Sequence, residues 1–258
     1  MPPSKQPKSR FGPPIVIEQE MRTGAVAYWQ GEYFQSRADK NGVSLLNYIH
    51  ALFGLLRQKK SKTVLMIGCA GGSLATMLAR VGCKVTAVDL NPQSFVLARR
   101  HFFLPDAVEC RVADGVDFLR ATRRKFDAIV LDAFRGGDVA SEVLTEEFFA
   151  LAKKHLNRGG AVFANIHVKS DADPLADRVA AQMAASFANV RILDRPGKRH
   201  RNATVMAGAV RGMKAPALLM RPAIESASLE RILASMQFRL PEKRNHKEHK
   251  ETRRSQRL

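Results

Sequence analysis

The chain is 258 residues long and 45% hydrophobic, enough to bury one sizeable core with a small appendage and too little for two full domains. No run of about 18 apolar residues is present to cross a bilayer, and the first 14 residues, MPPSKQPKSRFGPP, are basic and proline-rich with no apolar segment behind them; a soluble, cytoplasmic protein without a membrane partner is expected. The formal net charge is +18, of which residues 1–14 supply +3 and residues 239–258 supply +5. Both ends are polar and short of apolar residues, which predicts a disordered basic N-terminus over 1–14 and a disordered basic tail over 239–258. The remaining excess lies in runs such as Arg57 to Lys62, Arg123 to Lys125 and Lys198 to Arg201, which either meet a polyanion or form a solvated surface. Cys69, Cys83 and Cys110 lack any C-x-x-C spacing, so neither a disulfide framework nor a zinc site is expected.

In chain order, residues 15–36 alternate around Thr23-Gly24 and Gly31, predicting a small antiparallel hairpin unit within a β region spanning 15–43. Residues 44–56 (SLLNYIHALFGLL) read as an amphipathic to buried helix opening a main domain over 44–238. From Thr63 onward strand-like runs at 63–67, 84–88, 108–112, 126–131, 160–166, 190–193 and 203–209 alternate with helical patterns at 73–80, 92–102, 115–121, 145–156 and roughly 173–187. Seven strands in this rhythm predict an α/β, doubly wound, Rossmann-like sheet, with ligand bound at the carboxyl ends of the strands near the switch in strand order. Residues 228–238, with Leu229, Ile232, Leu233 and Met236 as an apolar stripe, are expected to form a last short helix.

Four stretches carry chemistry. In "VLMIGCAGGSLATMLA", residues 64–79, a strand breaks into Gly68-Cys69-Ala70-Gly71-Gly72 and a helix opens near Ser73; glycine admits close backbone approach, and the helix start offers free N–H groups to a ligand. The second strand ends at Asp89, where a nucleotide-binding sheet places a carboxylate for the ribose hydroxyls; Asn91-Pro92 can open the next helix, leaving Asp89 for that task. Asp114, followed by Gly115, either accepts from an exocyclic amine such as adenine's or caps the helix at 115–121. The fourth predicted strand in "FDAIVLDAFRGGD", residues 126–138, delivers Asp132 to the edge of the sheet, followed by Phe134 and Arg135. His50, His101, His155 and His167 match no zinc spacing, while His167 lies close enough to that edge to be a candidate for touching substrate.

These stretches, with "KVTAVDLNP", "VADGVDFL", "LTEEFF" and "LNRGGAVFANI", resemble the S-adenosylmethionine-binding methyltransferase fold and, more narrowly, the spermidine synthase (aminopropyltransferase) family in its divergent bacterial branch, over about residues 60–170. The resemblance implies a donor substrate that is S-adenosylmethionine or its decarboxylated form, no metal, a small-molecule acceptor and a homodimer. It implies that Gly68, Ala70 and Gly72 line the sulfonium nucleoside, that Asp89 holds the ribose, and that Asp114 faces the adenine amine with Gly115 behind it. Asp132 matches the family's general base, which takes a proton from the attacking amine.

Three departures stand beside these matches. The family's acid in the glycine loop is replaced by Gly71, and a second acid three residues after the catalytic one is replaced by Arg135. A tyrosine with a glutamine or histidine ahead of the first core strand is replaced by Leu45 and Leu46. Arg135 either meets a carboxylate or phosphate on a different substrate or points to solvent, and Phe134 either packs on ligand or joins the core. The expected function is therefore transfer of an aminopropyl or methyl group to a small molecule. The alternatives are an S-adenosylmethionine-dependent methyltransferase acting on nucleic acid or another substrate, and an inactive nucleoside-binding homologue. Nucleic acid is not the favoured partner, because D-A-F-R lacks the N-P-P-Y/F pattern of base-amine methylation and no appended RNA-binding module is visible.

Overall fold

The computed structural model describes residues 13–135, 138–139 and 143–241. The expectations for the basic ends at 1–12 and 242–258 fall outside these residues. Among the described residues, no helix is long and apolar enough to cross a membrane.

An antiparallel three-stranded sheet comes first, β1 (Ile15–Gln19), β2 (Val26–Gln30) and β3 (Tyr33–Ala38), in that order. Its third strand extends the expected hairpin. Gln30 pairs with Tyr33, so Gly31 and Glu32 alone make the turn, and Gly31 at φ 63° supplies the left-handed backbone such a two-residue loop needs. Helix α1 (Asn47–Gln58) then leads into β4 (Thr63–Ile67), α2 (Ser73–Arg80), β5 (Lys84–Asp89), α3 (Pro92–Phe102), β6 (Glu109–Val112), α4 (Gly115–Ala121) and β7 (Phe126–Leu131). Two short strands, β8 (Phe134–Arg135) and β9 (Asp138–Val139), pair with each other ahead of α5 (Glu146–Lys154). The chain continues through β10 (Leu156–Val168), α6 (Leu175–Ala184), β11 (Val190–Asp194), β12 (Arg201–Gly208), α7 (Ser226–Ala234) and β13 (Gln237–Arg239).

The main sheet runs in the order β13-β11-β12-β10-β7-β4-β5-β6. From β6 to β10 its neighbours are parallel, and β12 inserts antiparallel between β10 and β11. Alternate residues of β4 face opposite layers: Val64 and Met66 pack with α1 and α2, whereas Leu65 and Ile67 pack with α5 and α6. Burial on both faces explains why these strands read as continuous apolar runs.

The doubly wound expectation is met, with one correction. The sheet has eight strands where seven were expected, because the helical pattern at 228–238 ends at Ala234 and Gln237–Arg239 joins the edge beside β11. Side chains around that edge account for the change. Arg239 grips Asp177 through two bonds of 2.7 and 2.8 Å, and the Arg191 guanidinium lies 3.7 Å from the Phe238 ring centroid.

Candidate functional site

Strand order reverses between β4 and β7: from β4 the chain winds outward to β5 and β6, and from β7 it winds the other way to β10. The carboxyl ends of these two strands therefore open a crevice, and the backbone locks them together there. Asp132 N–H donates to the Ile67 carbonyl at 2.9 Å, and on the other side of β4 the Gly68 N–H donates to the Val88 carbonyl of β5 at 2.9 Å. A β-carbon on Gly68, at φ 96°, would sit 2.2 Å from the Asp132 carbonyl oxygen, so only glycine lets β4 end this close to Asp132. Ala70 follows at φ 44°, a conformation that L residues rarely adopt, and Gly72 at φ 66° forms the start of α2.

Asn91 caps α3 as expected, its side chain accepting from Gln93 N–H at 3.0 Å. Asp89 is nevertheless not idle. Its two oxygens accept from the backbone N–H groups of Cys69 and Asn91, each at 2.8 Å, and a further bond comes from the Ala70 N–H. The carboxylate thus fastens the glycine loop. Burial pushes it upward from the ordinary carboxylate range, against those three backbone donors. Asp114 caps α4, with Oδ1 accepting from Val116 and Asp117 N–H at 2.8 and 3.2 Å. A β-carbon on Gly115 would fall 2.5 Å from an Ile67 methyl, so Gly115 lets α4 start against β4.

Asp132 stands at the centre of a hydrogen-bonded chain. Asn165 on β10 donates Nδ2–H to Asp132 Oδ1 at 2.8 Å, and Asn202 on β12 donates to Asn165 Oδ1 at 3.0 Å. The Tyr48 hydroxyl on α1 is also hydrogen-bonded to the carboxylate. Desolvation pushes the Asp132 carboxyl up to about 6, more than the Asn165 and Tyr48 bonds lower it. Burial likewise raises Tyr48 well above the ordinary phenol value, with the Asp132 charge adding to the effect.

These groups face a cavity of about 380 Å³. Tyr33, Phe34 and Gln35 of β3 form one wall, residues Leu45 to Tyr48 another, and Glu225, Ser228, Leu229 and Ile232 a third; Asp132, Asn165, His167 and Asn202 line its sheet side. Of the residues singled out from sequence, Leu45, Leu46, Ala70, Asp132, Phe134 and His167 are brought together here, while Gly68, Gly71, Gly72, Asp89, Asp114 and Gly115 lie along the neighbouring strand ends and loops and do not line this cavity. His167 stacks on His200, with centroids 5.7 Å apart. Arg135 lies in the short β8 strand, and its side chain is outside the described residues. Among the described residues, no group of three or more His, Cys, Asp or Glu side chains is arranged to hold a metal ion.

Tyr48, Asn165 and Asn202 escaped sequence reasoning. Tyr48 sits inside an apolar helical pattern that absorbed it, yet it places a phenol against Asp132 two to three residues beyond Leu45 and Leu46, where the loss of a tyrosine was expected. Asn165 and Asn202 lie in strands whose burial pattern otherwise reads as core, and a polar amide within such a run was the available signal. Gly71 has a steric cause: its β-carbon would lie 2.8 Å from Ser36 Cβ and 3.0 Å from the Phe102 ring. Its N–H donates to Ser36 Oγ at 3.1 Å, so the N-terminal sheet covers the loop on the side where an acid would project. Gly71→Asp is expected to destabilise the fold by about 1–3 kcal/mol; a thermal melt unchanged from the parent would show that this packing is dispensable.

Comparison with known proteins places the chain in context. The family model described as "Methyltransferase small domain" matches residues 37–199. A polyamine aminopropyltransferase of Chromobacterium violaceum is 33% identical over 172 residues, 63% of this chain and 63% of that protein. The match therefore spans somewhat less than two thirds of that relative's length. Among solved structures, a probable spermidine synthase from Corynebacterium glutamicum superposes with a TM-score of 0.72 at 20% identity, covering 88% of this chain and 87% of that one. Human methyltransferase-like protein 13 in complex with SAH superposes with a TM-score of 0.52 at 23% identity, covering 78% and 94%. At those identities the two structures speak to the fold.

Proposed function

The chain belongs to the methyltransferase small domain family, and from that premise and the crevice geometry we propose that it is a spermidine synthase-like group transferase. It binds S-adenosylmethionine or the decarboxylated form and transfers an aminopropyl or methyl group to a small-molecule amine. The observation that carries this reading is Asp132, a carboxylate raised to about 6 at the end of β7 and held by Asn165 and Tyr48 on the wall of the cavity.

The glycine loop at Gly68, Ala70 and Gly72, with the free N–H groups that open α2, suits close approach of a nucleoside. Asp89 contributes by holding the loop and presenting its remaining acceptor capacity to the ribose, while Asp114 and Gly115 border the base. In the transfer step the lone pair of a neutral amine attacks the carbon bonded to the sulfonium. The carbon–sulfur bond breaks with its electron pair going to sulfur, which leaves as a neutral thioether, and the ammonium proton passes to the Asp132 carboxylate. Positioning supplies much of the acceleration because the sulfonium is already a good leaving group.

An acid at about 6 is ionised at neutral pH yet remains a stronger base than an ordinary aspartate. As pH falls through about 6, Asp132 gains a proton and the base is lost, so kcat with the preferred acceptor should decline about tenfold per unit well below that value. A profile of kcat from pH 5 to 8 that shows no acidic limb removes Asp132 as base. Calorimetry with the adenosyl thioether tests the nucleoside reading separately: micromolar binding is expected, and absence of heat with both donors and the thioether rejects it.

A further inference from the structure

We infer that the face of the main sheet opposite the crevice, where its parallel strands begin, docks the phosphate backbone of a nucleic-acid duplex. Lys62, Lys84, Lys125 and Arg158 carry the inference. Lys84 opens β5, Lys62 and Lys125 directly precede β4 and β7, and Arg158 is the third residue of β10, so each stands at the amino end of one of four neighbouring strands. The register keeps these ends level: Thr63 pairs with Lys84, Val64 with Ala128 and Leu156 with Phe126. All four residues are exposed, and none forms a salt bridge among the described residues. With neighbouring strands about 4.8 Å apart, the row spans about 14 Å, a length over which a duplex presents about eight phosphate charges.

Cations in the last turn of a helix answer to its dipole, which accounts for Arg80, Lys153 and Lys154 at this end of the molecule, whereas the row of four is set at strand starts. Lys125 and Arg158 also border, with Lys153, a concavity of about 550 Å³. Among the described residues, Asp127 is the acid set among these strand ends; it accepts from the Lys62 and Thr63 N–H groups and from Asn157 Nδ2, and four cations against that one acid leave +3. Glu109, at the β6 edge, is bridged by Arg111 and Arg124. Residues 1–12 hold Lys5, Lys8 and Arg10 with no acid, and residues 242–258 hold seven Lys or Arg against Glu242, Glu248 and Glu251, so both ends are basic in sum and do not neutralise the row. Asp138 and Glu142 lie in sequence between the carboxyl end of β7 and α5. Phe126 and Phe187 at this end are buried and offer bases no ring to stack on, which favours a duplex over a single strand. Thr63, Val85 and Asn157, which flank the row, are polar or buried and give a lipid surface no apolar anchor. Asp89 and Asp132 stand at the other ends of β5 and β7, so a docked duplex leaves the crevice open.

The test uses the full chain, a fluorescent RNA duplex of about 20 base pairs and the DNA duplex of the same sequence, followed by anisotropy from about 50 to about 300 mM salt. Binding of at least one duplex is expected, with log K falling against log salt at a slope of about −3.6 or steeper, the value for four phosphate contacts. The variant Lys62→Gln/Lys84→Gln/Lys125→Gln/Arg158→Gln should bind at least tenfold more weakly at about 100 mM salt, with a slope shallower by about two units or more. The variant Lys40→Gln/Arg178→Gln/Lys198→Gln/Arg199→Gln removes the same charge elsewhere and should stay within threefold of the parent. Both should melt within a few degrees of the parent; if the first does not, Lys62→Gln/Arg158→Gln replaces it, with a slope shallower by about one unit or more. Equal losses in the two variants would assign binding to net charge or to the basic ends, and binding to phosphatidylserine vesicles without binding to either duplex would assign the face to a lipid surface. Either result overturns the inference, as does the absence of duplex binding at about 50 mM salt. Saturating duplex should leave adenosyl thioether binding within twofold; a larger loss would put the duplex on the crevice and overturn the inference as well.

Discussion

Asp132→Asn is expected to lower kcat for group transfer by about 10²–10⁴-fold, the range a positioned general base supplies, while adenosyl thioether binding stays within about twofold of the parent. The substitution keeps the shape of the side chain and an oxygen able to accept from Asn165 Nδ2, so the chain from Asp132 through Asn165 to Asn202 can persist. Its effect on stability has the opposite sign. Because the folded carboxyl is raised to about 6, ionising it is harder in the folded protein than in the unfolded chain. The fold therefore loses stability as pH rises through the unfolded value towards about 6, and the penalty stays constant above it. Two pKa units correspond to about 3 kcal/mol, an upper bound for a group at the wall of an open cavity. Asparagine never ionises, so the variant's melting temperature at pH 7.5 should equal or exceed the parent's. Undiminished turnover, or a melting temperature several degrees lower, would contradict the assignment.

Arg201→Met is expected to destabilise the protein by up to about 3 kcal/mol at pH 7, because it strips the main partner from a buried carboxylate and leaves it the Arg195 N–H at 2.7 Å and Arg239 Nε at 3.6 Å. Arg201 Nε and Nη2 reach the Asp194 oxygens at 2.7 and 2.9 Å, and the two side chains are 8% and 2% exposed. Burial pushes the Asp194 carboxyl up, but Arg201, the Arg195 N–H and Arg239 outweigh it and hold the carboxyl below its ordinary range. The sign follows from that depression. The contribution is fully present above the unfolded carboxyl value near about 3.9 and is lost as pH falls through the lower folded value. Denaturant unfolding at pH 7 should show the loss, and the gap between parent and variant should shrink towards pH 3. The double variant Arg201→Met with Asp194→Leu should recover much of the stability, since a well-packed apolar pair avoids the desolvation penalty. A single variant as stable as the parent would show that this pair does not hold the β11–β12 end of the sheet together.

The recurring chemistry of the site follows how information is stored along the chain. Strand β4, its glycine loop, β5 with Asp89 and β7 with Asp132 were readable because each is a local pattern: an apolar run bounded by glycine or by an acid at its carboxyl end. The roles of Asp89 and Asp114 were harder, since a carboxylate beside a loop has several available donors. Asp89 turned out to bind the backbone of Cys69, Ala70 and Asn91, and Asp114 to cap α4. Each use is compatible with further acceptance from a ligand, because a carboxylate offers about four lone-pair sites.

By itself the sequence determined the α/β alternation, the order of most strands and helices along the chain, and the placement of Asp132 at a strand end, because these depend on hydrophobic period and on glycine. Only the tertiary structure decided what surrounds that carboxylate. Tyr48, Asn165 and Asn202 arrive from α1, β10 and β12, separated by up to 154 residues in sequence, and no local period encodes their meeting. The same holds for the excluded side chain at Gly71, which depends on Ser36 and Phe102, and for the eighth strand, which depends on Asp177 and Arg191 waiting at the sheet edge. Local sequence sets which backbone forms; packing between distant elements sets which polar atoms lose water, and that loss tunes Asp132.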